Sequence, residues 1–230
     1  MQQKSVDPAG DEAVFAGASL LKKNKEERHG QDGDRRLKVI NLFGAPGQGK
    51  SATAGGLFWL MKAKGMSVEQ VSEYAKYLVL TGRVWQLESE QLYLFAKQHH
   101  KQHILRGKYD FCVTDSPLLL ASFYAPDSTT PPTFHHMATE YNGEFENLNF
   151  FLSRELSDSE FEETGRLHSK EDSERIEDKM REFMAGKGLS WTEIAIDHKT
   201  PWTILEKIGA DAPGVVPFAG PAAPALEAAE

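Results

Sequence analysis

Five short apolar runs punctuate the chain. Leu37–Phe43 (LKVINLF), Ser67–Ser72, Phe111–Thr114, Asn147–Ser153 and Thr192–Ile196 each read as a strand. Between and after them the spacing of apolar residues predicts helices over Lys50–Lys64, Gln86–Leu105, Lys170–Ala185 and Pro201–Ile208. Gly65 is placed to cap the first of these, because a helix commonly ends on a glycine in the left-handed conformation. Ser169 with Asp172 forms a capping-box signature before the third. In that helix Ile176, Met180, Phe183 and Met184 recur at helical spacing and read as core packing. Strands alternating with helices imply a parallel sheet covered on both faces. The expected architecture is therefore α/β: a three-layer αβα fold with a five-stranded parallel sheet, whose ligands bind at the carboxyl ends of the strands.

The flanks break this pattern. Residues 1–36 are charged, contain Gly30 and Gly33 before the first strand, and read as a disordered tail. Residues 209–230 are rich in Ala and Pro and read as a second disordered tail. The folded domain is expected over residues 37–208. No apolar run reaches the length of a membrane span, and the polar start MQQKSVDPAGDEAV does not resemble a secretory leader. The single cysteine, Cys112, lies in a strand, reads as a small buried residue, and rules out an intramolecular disulfide. Together these features point to a cytoplasmic protein with no membrane partner.

The candidate chemistry begins directly after the first strand. Gly44, Ala45, Pro46, Gly47, Gln48, Gly49, Lys50 and Ser51 satisfy every fixed position of the phosphate-binding pattern G-x-x-x-x-G-K-[ST], with Ala52 continuing into a helix. The glycines let successive N–H groups turn toward phosphate oxygens, and the helix N-terminus adds a positive dipole end. Lys50 is expected to reach the β- and γ-phosphates of ATP, and the Ser51 hydroxyl to sit on Mg²⁺. A second signal is YDFCVTDSP, residues 109–117, an apolar strand ending in Asp115. A carboxylate there holds Mg²⁺ directly or through water. The next residue is Ser116, where mechanical ATPases commonly carry a water-activating Glu, which tilts the chemistry from hydrolysis toward transfer.

Glu73 follows the second strand and faces the same cleft, where a carboxylate can take a proton from a substrate hydroxyl or can simply cap a helix. Arg154 and Arg166 flank an acidic segment that reads as a helical lid. Arginines there can stabilise a transferring phosphoryl group or pair with neighbouring acids. On the helix from Gln86, Leu87, Gln91, Leu94, Phe95, Gln98 and Gln102 share one face; Gln91 is placed either to read a base edge or to satisfy a buried backbone group. His99 and His103 have metal-pair spacing with no carboxylate or cysteine beside them in sequence, and so read as solvated. Asp127–Pro132 (DSTTPP) reads as a loop that could form a substrate flap.

Taken together, INLFGAPGQGKS, VSEYAK, EQLYLFAKQ, YDFCVTDSPLLL, NFFLSR and TGR resemble the P-loop ATPase/kinase family of bacteriophages, which is related to ribosylnicotinamide-kinase-like domains. The resemblance spans about residues 38–208. It implies a P-loop kinase fold, with ATP on Gly44–Ser51, Mg²⁺ on Asp115 and Arg166 in the lid, and it carries Glu73 over as a site residue. Some of these phage kinases act on 5-hydroxymethyl-deoxyuridine within DNA during thymidine hypermodification, which makes modified DNA an expected partner and host cytoplasm the expected location. The formal net charge of −8 departs from a DNA-binding profile, and Lys97–Lys108, with four Lys and Arg and no acid, would have to offset it locally.

The expected activity is thus ATP-dependent transfer of a phosphoryl group to a hydroxyl of a nucleoside-like acceptor. The rivals are a free nucleoside or nucleotide kinase and a hydrolytic ATPase serving as a motor or assembly factor. A GTP switch is disfavoured because no N-K-x-D motif is present.

Overall fold

A computed structural model describes residues 36–126, 130–153 and 170–209. The two expected tails and the expected lid, including Arg154, Arg166 and the Ser169 capping signature, lie outside the described residues.

The chain runs β1 (Lys38–Phe43), α1 (Lys50–Ala63), β2 (Val68–Val71), α2 (Tyr74–Leu80), α3 (Trp85–Ser89), α4 (Gln91–His103), β3 (Phe111–Thr114), α5 (Leu119–Tyr124), α6 (Pro132–Asn142), β4 (Glu146–Ser153), α7 (Lys170–Gly186), β5 (Thr192–Ala195) and α8 (Thr200–Gly209). All strand pairs are parallel and the sheet order is β2-β3-β1-β4-β5. The chain leaves β1 toward one edge and returns past it to build the other. β1 is thus central, and a topological switch point lies beside its carboxyl end.

Alternation along the strands sends successive side chains to opposite faces. Ile40, Leu42, Val113, Phe150 and Leu152 join Ala54, Leu57 and Met61 of α1 and Ile204, Leu205 and Ile208 of α8 on one face. On the other, Val39, Val71 and Cys112 pack under Phe95 of α4, Leu119 of α5 and Phe134 of α6, while Phe43 and Phe151 meet Met180 and Met184 of α7. This is the expected three-layer αβα arrangement. Burial pushes the Cys112 thiol up to about 12, so it stays a protonated core group.

Among the polar groups buried with that core, one sits on the central strand. Asn41, 2 % exposed at the middle of β1, donates through Nδ2 to Oδ1 of Asn147 at 2.8 Å and of Asn149 at 3.0 Å. Asn147 in turn donates to the Asn142 carbonyl at 2.7 Å, and Asn149 to that of Ser190 at 3.0 Å. A one-residue slip of β4 would carry both asparagines to the opposite face, so this ladder fixes the β1–β4 register.

Two sequence expectations change. The helix expected over Gln86–Leu105 is broken at Glu90 into α3 and α4, and α2, α5 and α6 appear where no helix was expected. α6 starts on the last residue of the expected DSTTPP loop, Pro132, whose missing N–H and fixed φ favour a helix start.

Candidate active site

The register aligns the carboxyl ends of the strands. Val71 of β2 lies beside Thr114 of β3, Thr114 beside Asn41 of β1, and Phe43 beside Phe151 of β4. The segments that follow, Gly44–Lys50 after β1, Ser72–Glu73 after β2 and Asp115–Ser116 after β3, therefore emerge at one edge of the sheet.

The loop from Gly44 to Gly49 turns sharply off β1. Gly44 has φ 143°, and a Cβ there would collide with the buried Gln48 side chain and meet the Leu152 carbonyl at 3.0 Å, so only glycine fits. Gly49 is the residue before α1 and takes φ 72°, the left-handed conformation that lets the chain enter the helix at this angle. Ala45 is fully buried, Pro46 and Gly47 half-buried, and Ser51 and Ala52 open to solvent at the first turn of α1. Lys50 folds back over the loop, and its Nζ donates to the carbonyls of Gly44 and Ala45, both at 2.8 Å. The ammonium is thereby held above the loop rather than extended into solvent.

Glu73 and Asp115 join Lys50 at this edge. The Glu73 backbone N–H donates to Asp115 Oδ1 at 3.0 Å, and Asp115 is 3 % exposed. Oδ2 of Asp115 has no hydrogen bond among the described residues. Burial raises the Glu73 carboxyl above its ordinary value; Lys50 opposes this, Asp115 adds to it, and Lys76 opposes it. The three expected groups thus share one electrostatic site. Asp115 and the Ser51 hydroxyl are hard oxygen donors of the kind Mg²⁺ takes, so the residues present fit that ion.

Tyr124, at the end of α5, belongs to this site and was not singled out from sequence. Burial of its phenol end, with the neighbouring Glu73 charge second, pushes it up to about 12, although 42 % of the residue as a whole is exposed. Its hydroxyl therefore stays protonated within reach of the Glu73 charge. A short apolar run (LLASFY) carries no chemical signature, and only the fold brings its last residue to Glu73.

Beside Glu73 lies an aromatic and cationic surface. Tyr74 stacks on Tyr77 with centroids 5.7 Å apart, and its hydroxyl lies 3.1 Å from that of Tyr93. Arg83 lies 5.2 Å from the Tyr77 ring centroid, Lys97 5.5 Å from that of Tyr93, and Lys101 5.5 Å from that of Tyr74, with Nζ also 3.1 Å from the Ser72 carbonyl. A cavity of about 440 Å³ opens at the same end of α4, lined in part by Gln91, Leu92, Pro126, Phe134 and Met137. DSTTPP thus flanks a cavity, although Asp127–Thr129 are outside the described residues.

Gln91 and Gln98 of α4 bond within the protein. Gln91 Nε2 donates to the Leu87 carbonyl, and Gln98 Nε2 to Thr114 Oγ1 at 3.2 Å and to the Ser116 carbonyl at 3.1 Å, which steadies the turn after β3. The histidine reading needs correction. Glu144, distant in sequence, stands beside both His99 and His103, and burial lowers the His99 imidazole below its ordinary value. The basic stretch also divides, because Arg106 pairs with Glu144 at 3.0 Å, away from Lys97 and Lys101. No described helix is long and apolar enough to cross a membrane.

No protein-family model matches this chain, and no curated protein matches it. Among solved structures, a deoxyadenosine kinase from M. mycoides with bound dATP is similar at 18 % identity and a TM-score of 0.47, covering 74 % of this chain and 99 % of that one. At that distance neither substrate nor chemistry carries across.

Proposed function

We propose that this chain is an ATP-dependent phosphotransferase acting on a hydroxyl group of a nucleoside-like acceptor. The observation that carries this reading is the meeting of Lys50, Glu73 and Asp115 at the mouth of a phosphate-binding loop, with Glu73 held above its ordinary pKa by burial. A phosphate loop alone would serve hydrolysis equally well. A partly desolvated carboxylate beside it supplies what an alcohol acceptor needs.

In this reading the loop amides and Lys50 hold the β- and γ-phosphates, which Lys50 reaches by exchanging the Gly44 and Ala45 carbonyls for phosphate oxygens. Glu73 accepts the proton of the acceptor hydroxyl as its oxygen bonds to the γ-phosphorus. The bond from that phosphorus to the β,γ-bridging oxygen breaks, and ADP departs with the electron pair. Tyr124 keeps its proton and donates toward Glu73 or the acceptor, steadying the carboxylate. Mg²⁺, held by Ser51 and Asp115, would neutralise charge on the phosphates. Arg154 and Arg166, outside the described residues, are assigned by their charge to the transferring group.

The finer reading, phosphorylation of 5-hydroxymethyl-deoxyuridine within DNA, is favoured by the tyrosine and cation surface around Tyr74, Tyr77 and Tyr93. Stacking rings flanked by Lys97, Lys101 and Arg83 suit a nucleobase on a phosphate backbone despite the net charge of −8. The test supplies γ-labelled ATP and Mg²⁺ with 5-hydroxymethyluracil DNA, ordinary DNA, or free nucleosides and nucleotides. Label confined to the hydroxymethylated DNA is expected. Label on a monomer would instead identify a free nucleoside or nucleotide kinase, and label appearing only as inorganic phosphate would overturn the transferase reading in favour of an ATPase.

A further inference from the structure

The edge of the sheet opposite the phosphate loop carries a second cluster. α4 runs back from the loop edge, so its last turn, with His99 and His103, lies near the segment that enters β4 and carries Glu144. His99 Nε2 is 3.7 Å and His103 Nδ1 3.9 Å from Glu144 Oε2, and one ligand atom from each of the three residues lies within 4.8 Å of the others. The 3.7 Å separation is too long for a hydrogen bond, and His99 Nε2 is buried with no hydrogen-bond partner. Leaving such a ring nitrogen unsatisfied is costly, whether it carries a proton or a lone pair.

We infer that His99, His103 and Glu144 form a binding site for a borderline transition-metal dication, Zn²⁺ being the best fit, separate from the Mg²⁺ expected at the phosphate loop. Two imidazoles and one carboxylate are a zinc donor set that leaves a fourth position for water. Ligand atoms bound at about 2.0 Å in a tetrahedron stand about 3.3 Å apart. The observed spacings reach this by small side-chain rotations.

The surroundings suit a bound ion. His99 is fixed between aromatic rings, with Tyr141 at 4.8 Å, Phe145 at 6.0 Å and Phe95 at 6.1 Å between centroids. Its ring is therefore held in place before a metal arrives. Arg106 Nη1 sits 3.0 Å from Oε2 of Glu144, and Oε1 has no partner among the described residues. Oε2, the oxygen nearest both imidazoles, can ligate the ion while Arg106 orients the carboxylate from outside, as outer partners of metal-bound carboxylates do. The ion would fasten the last turn of α4 to the segment between α6 and β4.

The full chain, free of ATP and Mg²⁺, is titrated with Zn²⁺ by calorimetry and with Co²⁺ by visible absorption. One saturable equivalent is expected, with tetrahedral Co²⁺ bands that Zn²⁺ abolishes and a melting temperature that rises with Zn²⁺ concentration. His103→Ala and Glu144→Gln alter partly exposed side chains and are expected to weaken binding 10-fold or more while the circular dichroism is unchanged. Absence of saturable binding, or binding of the same strength in both variants, would overturn the assignment. The second result would place the metal on other histidines.

Discussion

The backbone N–H of Glu73 donates to Oδ1 of Asp115 at 3.0 Å, so the turn after β2 is tied to the carboxylate that ends β3. That bond joins the expected base to the expected metal ligand. Asp115 cannot move without disturbing the start of α2. Glu73 is thereby held where its own side chain meets both the Lys50 and the Asp115 charges.

The first prediction concerns Glu73. As a base it acts only when ionised, and burial raises its pKa. The acidic limb of kcat/KM should therefore lie above the ordinary carboxylate value of 4.5. Glu73→Gln should lower kcat by roughly 10²–10⁴-fold, the range of general-base contributions. The folded state binds this proton more tightly than the unfolded chain, so the group's contribution to stability is greatest below the unfolded pKa and is lost as pH rises through the folded one. Glu73→Gln should then melt higher than the parent at neutral pH, with the gain shrinking in acid. A pH–rate profile and thermal melts across pH check both; a lower melting point at neutral pH would contradict the burial argument.

Lys50→Ala should reduce turnover by at least about 10²–10³-fold, the scale for losing one preorganised charge at a transferring group. Its circular dichroism should match the parent, because the lysine's bonds to the Gly44 and Ala45 carbonyls, at 2.8 Å, serve the loop rather than the core. Lys50 also holds the Glu73 pKa down, so residual activity should show an acidic limb at still higher pH. Single-turnover rates with labelled ATP measure this. An unfolded variant would make Lys50 structural.

Tyr93→Ala and Lys97→Ala address the acceptor surface. Base stacking on an aromatic ring is worth about 1–3 kcal/mol, so Tyr93→Ala should raise KM for a polymeric acceptor by roughly 5–150-fold and leave KM for ATP unaltered. Lys97→Ala should weaken the salt dependence of the same KM. Equal KM values for parent and variants with DNA would point to a small free acceptor.

The asparagine ladder gives a stability prediction. Asn41→Ala strands the Oδ1 atoms of Asn147 and Asn149 and should cost about 1–3 kcal/mol in a denaturant melt. Removing one partner, Asn149→Ala, should cost less, because Asn41 then keeps Asn147.

Much of this molecule was legible because its strongest signals are local. The phosphate loop is contiguous, and Phe111–Thr114 was bounded correctly because Asp110 and Asp115 bracket an apolar run. The five strands and the alternation specified the layers. The helices that escaped are short or weakly patterned: α2 buries only Leu78, and α5 is a six-residue apolar run that periodicity cannot separate from a strand. Glu144 and Tyr124 were invisible for another reason. Each meets its partners only through the fold, Tyr124 near Glu73 and Glu144 near His99, and spacing along the chain encodes neither encounter.

β1 shares no hydrogen bonds with the next strand made. Its neighbours are β3, beginning at Phe111, and β4, beginning at Glu146. On the ribosome the phosphate loop emerges early, yet the central strand beneath it stays unpaired on one side until β4 has been synthesised. On the proposed function, nucleotide capture would then be a late event in the life of the nascent chain, and fragments ending before Ser153 should be unable to retain ATP although they carry the whole loop.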